Sequence, residues 1–178
     1  MTQPIFIETE DLLLHSFRAE DMKRFDSLTR DIHQLFGQHS TTTFLPHKKL
    51  SHIQQAETLL QTALINQHNG NSQWYFITQK KGQRTIGMIE LITPNTARQH
   101  YQLDCYPHFI EFCLSSEHMG KGIMGRLLPR LLEKLKQKGI DKIGAVAHPK
   151  NHSAVRVLYK SGLIKKASFD SIQHFYYN

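Results

Sequence analysis

The 178 residues predict one mixed α/β domain of about seven strands. Three observations lead there. Strand and helix patterns follow the order β-α-α-β-β-β-α-β-α-β-β, with no internal repeat and no linker. Between Phe109 and Ala147 a strand, a glycine-rich turn, a helix and a second strand succeed one another, a crossover unit expected to be right-handed. Apolar residues make up 39% of the chain against 21% charged, the balance of a globular domain with a core of its own.

The elements follow in order. "IFIETEDLLLHSF" is the first strand, broken near Glu10 and Asp11. In "AEDMKRFDSLTRDI", Met22, Phe25, Leu28 and Ile32 recur at helical spacing behind acids that suit the positive end of a helix dipole. Gly37, Pro46 and a Ser/Thr run make "FGQHSTTTFLPHKKL" a loop. Ser51 is the expected N-cap of "HIQQAETLLQTALINQ", whose Ile53, Ala56, Leu60 and Leu64 share a face. "QWYFITQ" and "TIGMIELI" form a hairpin around Gly82. "TPNTARQHYQLDCYP" is polar and turn-rich, and "HFIEFCLS" is the next strand. After the glycine-rich helix come the strand "KIGAVAH", the helix "NHSAVRVLYKSG" ending at Gly162, and the terminal pair "LIKKASF" and "IQHFYY".

Composition narrows the classes of function. No stretch approaches the ~20 apolar residues of a membrane span. The N-terminus lacks the basic and apolar regions of a secretory signal, so the cytoplasm is the expected compartment. Cys105 and Cys113 are too few for a disulfide scaffold. Twelve histidines are scattered without an H-E-x-x-H motif, and no metal is expected. The net charge of +7 and pI near 9.5 favour an anionic partner (nucleic acid, acidic peptide or phosphorylated cofactor) over no partner only as far as a solvated basic surface does not explain them.

The segment "EHMGKGIMGRLLPRLLEKLKQKG" is the chemical landmark. Each glycine costs a helix about 1 kcal/mol relative to alanine, yet Gly120, Gly122 and Gly125 crowd a helix start. A glycine turn there leaves several N–H groups converging at the positive end of the dipole, a ready phosphate site. Close helix packing is the other account of the same glycines. No G-K-[ST] follows at Walker spacing, and the spacing and late position do not suit a dinucleotide fingerprint.

"MGKGIM", residues 119–124, resembles the acyl-CoA motif Gln/Arg-x-x-Gly-x-Gly/Ala of the GNAT superfamily of N-acetyltransferases. Met119 stands at the Gln/Arg position and Met124 at the last Gly/Ala position, departures similar to the branch that acetylates ribosomal-protein N-termini. "NHSAVRVLYKSGL" is similar to the family element N-x-x-S-x-R-V-x-x-K-x-G-F. "IETEDLLLHSFRAEDM" resembles its T-E-R-L-x-L-R start, with His15 in place of the arginine, a change expected on the substrate side. The resemblance covers almost the whole chain. It implies a mostly antiparallel sheet with helices on both faces and a splay between the fourth and fifth strands, into which acetyl-CoA inserts as co-substrate.

By that resemblance the main chain of Met119, Gly120, Lys121, Gly122, Ile123, Met124 and Gly125 holds the pyrophosphate, and Lys121 and Arg126 add charge unless they are merely solvated. Phe112, Cys113 and Leu114 bond the pantetheine arm from one side of the splay, and Ala145, Val146 and Ala147 from the other. Asn151 touches the arm, caps its helix, or does both. Tyr159 is the general acid near the sulfur, with core packing as its alternative. Glu111, on the strand face that carries Cys113, is the candidate base; Glu90 is its rival, and either carboxylate is also accounted for by a solvent-facing position. Cys113 is a small buried thiol rather than an acyl carrier. Arg156 is structural, and Pro129 is expected to kink its helix.

The implied reaction is direct transfer of acetyl to a primary amine, in first place the N-terminal α-amine of a ribosomal or other protein. Polyamines, aminoglycosides and other small amines are the alternatives, as is a non-catalytic acyl-CoA-binding or nucleic-acid-binding domain. No membrane and no nucleic acid is required, and the chain is a monomer or homodimer. Helices 19–32 and 51–67, with the loop between them, are expected to line the acceptor side.

Overall fold

The computed structural model describes residues 4–178. One sheet of eight strands runs through them in the order β1-β2-β3-β4-β5-β6-β8-β7. The strands are β1 (Phe6–Glu8), β2 (Leu12–Ser16), β3 (Ser72–Gln79), β4 (Thr85–Ile92), β5 (His108–Leu114), β6 (Ile143–Ala147), β7 (Ile164–Ser168) and β8 (His174–Tyr177). Every pairing is antiparallel except β5 with β6, the two ends of the crossover unit.

Period-two alternation sends the strand side chains to two cores. Leu14, Ile77, Ile89 and Ile110 face α5 (Ile123–Gln137) and α6 (His152–Lys160), where Leu127, Leu128 and Leu131 meet them. Trp74, Phe76, Met88 and Cys113 face α1 (Phe25–Gly37) and α3 (Ile53–His68), packing on Leu28, Ile32, Phe36 and Leu60. Helices on both faces are thus as expected. α5 runs unbroken through Pro129.

Three local expectations change. The break near Glu10 is a tight turn, with Thr9 N–H donating to Leu12 O at 2.9 Å, so the first strand is two and the sheet has eight rather than seven. The loop after α1 holds a short α2 (His39–Thr42) and a 3₁₀ turn (Pro46–Lys48), and Pro94 opens α4 (Pro94–His100) in the polar stretch after β4. His52, not Ser51, occupies the N-cap of α3; the Gln55 side-chain oxygen accepts from the N–H groups of Ser51 at 2.7 Å and His52 at 3.0 Å. His15 also departs from its expected role. It is buried between Thr78 Oγ1, 3.0 Å from Nε2, and the Ser16 carbonyl, 2.8 Å from Nδ1, and serves the core rather than the substrate side.

Candidate active site

The site grows from one interrupted strand pairing. β5 and β6 pair only at His108 with Ile143 and Phe109 with Gly144, while β5 continues to Leu114 and β6 to Ala147. Beyond Phe109 the two strands part. Which main-chain groups face the gap follows from antiparallel alternation. Ser115 N–H donates to Ile86 O at 2.8 Å, so Cys113 and Glu111, two and four residues back, also turn their main chain to β4. Phe112 and Leu114 therefore turn theirs into the gap. On the other side Asn178 N–H donates to Ile143 O, so Ala145 and Ala147 serve β8 and Val146 faces the gap. A cavity of about 390 Å³ fills the split, lined on its walls by Ile110 to Leu114 and Ala145 to His148. That volume suits a small ligand or one arm of a larger one.

At the open end of β5 the chain makes the glycine turn. Gly120 (φ 74°) and Gly122 (φ 70°, the N-cap of α5) are left-handed, a conformation that favours glycine. No protein atom lies within 4 Å of a Cβ built on Gly120, and only Arg126 Nη1, at 3.7 Å, approaches one on Gly122. Protein packing therefore does not account for these two. A Cβ on Gly125 would meet only the Lys160 side chain, at ordinary contact distance, with Cδ at 3.4 Å and Nζ at 3.6 Å. That contact brings the Lys160 ammonium to the first turn of α5, beside Arg126, whose Nη1 donates to Lys121 O at 3.3 Å. A turn of open N–H groups at a fifteen-residue helix, flanked by these cations, fits a diphosphate.

Of the residues expected here, Glu111, Phe112, Cys113, Leu114, Met119, Gly120, Gly122, Ile123, Met124, Gly125 and Asn151 line the cavity, whereas Lys121, Arg126 and Tyr159 do not. Asn151 does cap α6, its Oδ1 accepting from Ala154 N–H at 3.2 Å. Tyr159 is half exposed, with its ring edge-on to Tyr176 at 5.8 Å. The reason is helical phase. Seven residues fall about 20° short of two turns, which puts Leu158 on the Asn151 face, and the eighth lies about 80° beyond it. Leu158, fully buried, lines the cavity in its place. Cys113 also changes role: its main chain belongs to β4, and burial pushes its thiol up to about 12, leaving an inert wall.

The floor of the cleft holds a charge cluster. Glu90 and Glu111 are direct cross-strand partners on one face, an arrangement that repels. Lys48, from the 3₁₀ turn, sits between them with Nζ 2.8 Å from Glu90 Oε2, 3.0 Å from Glu111 Oε1 and 5.3 Å over the Trp74 ring. His47 Nε2 lies 3.1 Å from Glu111 Oε2. Burial pushes the Glu111 carboxyl up, but the His47 hydrogen bond and the Lys48 charge outweigh it and hold the group below the ordinary carboxylate range. Lys48 is likewise held above the ordinary lysine value, its two carboxylates overcoming burial. Glu111 Oε1 is buried against the Lys48 ammonium.

The segment between α1 and α3 roofs the cleft. Thr41 Oγ1 donates to Leu114 O at 3.1 Å on one lip, and the Phe44 ring lies 5.4 Å from His148 on the other. Sequence reasoning missed Lys48 and His47. "HKK" in a polar loop reads as solvated surface, and only the tertiary fold carries it over two glutamates.

The chain resembles known proteins over most of its length. Residues 11–164 match the model of the acetyltransferase (GNAT) domain. No curated protein sequence matches significantly. Among solved structures, the ribosomal-protein-S5-alanine acetyltransferase of Vibrio fischeri superposes with a TM-score of 0.73 at 17% identity, covering 98% of this chain and 96% of that one. A ribosomal L7/L12 alpha-N-protein acetyltransferase in complex with coenzyme A gives 0.73 at 13% identity, covering 98% and 97%. The spermidine N-acetyltransferase of Vibrio cholerae, in complex with CoA and spermine, gives 0.67 at 15%, covering 95% and 94%. At these identities the structures share the fold, and the domain match over most of the chain sets the family: this protein belongs to the GNAT acetyltransferases and is an acyltransferase.

Proposed function

We propose that the β5–β6 cleft binds acetyl-CoA and that its acetyl group passes directly to a protein N-terminal α-amine. The carrying observation is the split itself. Phe112 and Val146 aim main-chain groups into one cavity that ends in an open glycine turn on one side and in Glu111 on the other. The co-substrate supplies an acetyl group on a thiol leaving group. The turn from Met119 to Gly125 holds its pyrophosphate, with Lys121, Arg126 and Lys160 as flanking charge. Phe112 and Val146 bond the arm as a strand would, and the Asn151 amide adds a donor.

A thiol has pKa ~8.5, so the departing thiolate is stable enough to take its proton from water, and Leu158 in the tyrosine's place is tolerable. The acceptor follows from Glu111. A carboxylate held low accepts a hydrogen bond well and a proton poorly. An α-amine of pKa ~8 is about one-tenth neutral at pH 7, whereas a lysine of pKa ~10.4 is a few hundred-fold less so. The site thus favours α-amines over strongly basic ones, polyamines among them.

The test is CoA release, with mass spectrometry of products, on seryl and alanyl peptides, an N-blocked lysine peptide, spermidine and an aminoglycoside. N-terminal acetylation of a peptide is expected. Turnover confined to spermidine or the aminoglycoside overturns the acceptor, and binding of acetyl-CoA without turnover on any amine would make this a regulatory domain.

A further inference from the structure

Glu90 and Glu111 face each other across β4 and β5 in a half-enclosed site, and the fold accepts both because one lysine from a distant loop lies between them. Lys48 is only 10% exposed on its side chain, and its two partners are 12% and 23% exposed. Like charges on opposed strand positions are unfavourable, and a buried carboxylate pair ordinarily keeps one proton. We propose that Lys48 is the positioning residue of the acceptor site: by bridging Glu90 and Glu111 it keeps both ionised and fixes the Glu111 carboxylate at the end of the cleft where the primary amine arrives. This rests on the acetyl-transfer reading above.

The geometry divides the work of Glu111 between its two oxygens. Oε1 is buried against the Lys48 ammonium at 3.0 Å, and Oε2 faces His47, whose side chain is 61% exposed. With Glu90, Glu111 and Lys48 all charged the cluster carries one net negative charge, which matches an acceptor bearing a single positive charge near its reacting nitrogen. A polyamine brings more charge than this site balances. The other titratable groups that face the cluster are His47 from the same turn, Tyr101 after α4, and Cys113 on β5. The Tyr101 hydroxyl is raised by burial and by the two glutamates, and the Cys113 thiol by burial first, so both stay neutral at working pH.

The pH profile of kcat/KM on an alanyl peptide reads the proposal. With His47→Gln introduced in every protein compared, so that no imidazole titrates beside Glu111, the parent is expected to show only the ionisation of the α-amine, near ~8, with no second inflection on the acid side down to about pH 5. Lys48→Met leaves two facing carboxylates that share a proton, which adds an inflection near neutrality and costs a further ~10-fold at about pH 6. Lys48→Gln, which keeps a donor and removes the charge, is expected to show the same inflection, and Lys48→Arg to restore the parent profile. Acetyl-CoA affinity is expected to hold in all three. A merely structural lysine would lower activity evenly across pH, and that result in folded Lys48→Met or Lys48→Gln overturns the proposal. Carboxyl ¹³C NMR of the wild-type protein tests it without any variant: protonation of Glu90 or Glu111 above about pH 5.5 also overturns it. Absence of acetylation by wild type on every amine would instead refute the acetyl-transfer reading, so the two failures are distinguishable.

Discussion

Replacing Val146 by proline separates the two edges of β6 and so tests whether the cleft binds its ligand as a strand. By the alternation set at Ile143 and Asn178, the Val146 N–H points into the split and not to β8. Proline is tolerated in a strand where the missing N–H is not part of the ladder. The variant should therefore fold, while losing one main-chain donor to the arm. A net hydrogen bond is worth about 0.5–1.5 kcal/mol, which corresponds to a ~2- to 13-fold rise in the acetyl-CoA Kd by calorimetric titration. Ala145→Pro is the matched control. Its N–H belongs to the β8 ladder, so proline there should lower the melting temperature by several degrees. Unchanged acetyl-CoA affinity in a folded Val146→Pro protein would refute the strand-like binding mode. Equal destabilisation by the two prolines would refute the assignment of edges.

Tyr159→Phe should leave kcat within about twofold in a steady-state assay, because the general-acid effect of ~10²–10⁴ requires a hydroxyl that reaches the cleft; a loss of that size would restore Tyr159 to the mechanism. Gly122→Val should raise the acetyl-CoA Kd at least tenfold and also cost about 1–2 kcal/mol of stability, since φ 70° strains any side chain there; unchanged binding by titration would mean the turn holds no phosphate. Burial lowers the folded values of His15, His108 and His118 below their ordinary 6.5, so the unfolded chain takes up protons first as pH falls. Stability should be full above about pH 6.5 and decline below it, and chemical denaturation at a series of pH values that showed a rise towards acid would contradict that sign.

What the sequence made legible was whatever is carried by local spacing. The glycine turn and the Asn151 cap depend on residues within one or two turns of one another, and the crossover unit on elements consecutive in the chain, and all three stand where they were expected. Tyr159 shows the limit of motif matching. One position along α6 rotates a side chain by about 100°, so a match that is right in order can be wrong in direction. The Lys48 cluster shows a deeper limit. Glu90 and Glu111 read as rivals because nothing local reveals that they are cross-strand partners, and the cation that reconciles them is forty-two residues from the nearer one. The turn at Glu10 was visible as a break, but whether a break ends a strand or opens a hairpin depends on a partner, here the Thr9 and Leu12 main chain.

The charge of the whole molecule follows the same division as the cleft. Residues 121–166, which form α5, β6, α6 and the first part of β7, contain twelve of the 22 lysines and arginines but only two of the 15 acids, for a net +10. The remainder is net −3. All twelve of those cations are exposed, and none is needed to balance the cluster under the acceptor. Helix stability alone does not call for them. Arg126, Arg130 and Lys134 stand four residues apart along α5, and like charges at that spacing are mildly unfavourable. Arg126 also lies towards the positive end of the helix dipole, where a cation is disfavoured until an anion arrives. A pyrophosphate at Gly120–Gly122 reverses that sign, because cations that repel the empty helix end are attracted to the phosphate. On the other side of the sheet, Lys48 offsets only one of two carboxylates, so the acceptor proposed for that site would meet a small negative charge. The +7 that the sequence shows as a single number is therefore two fields, one on each substrate's side, and each is opposite in sign to the substrate proposed for it.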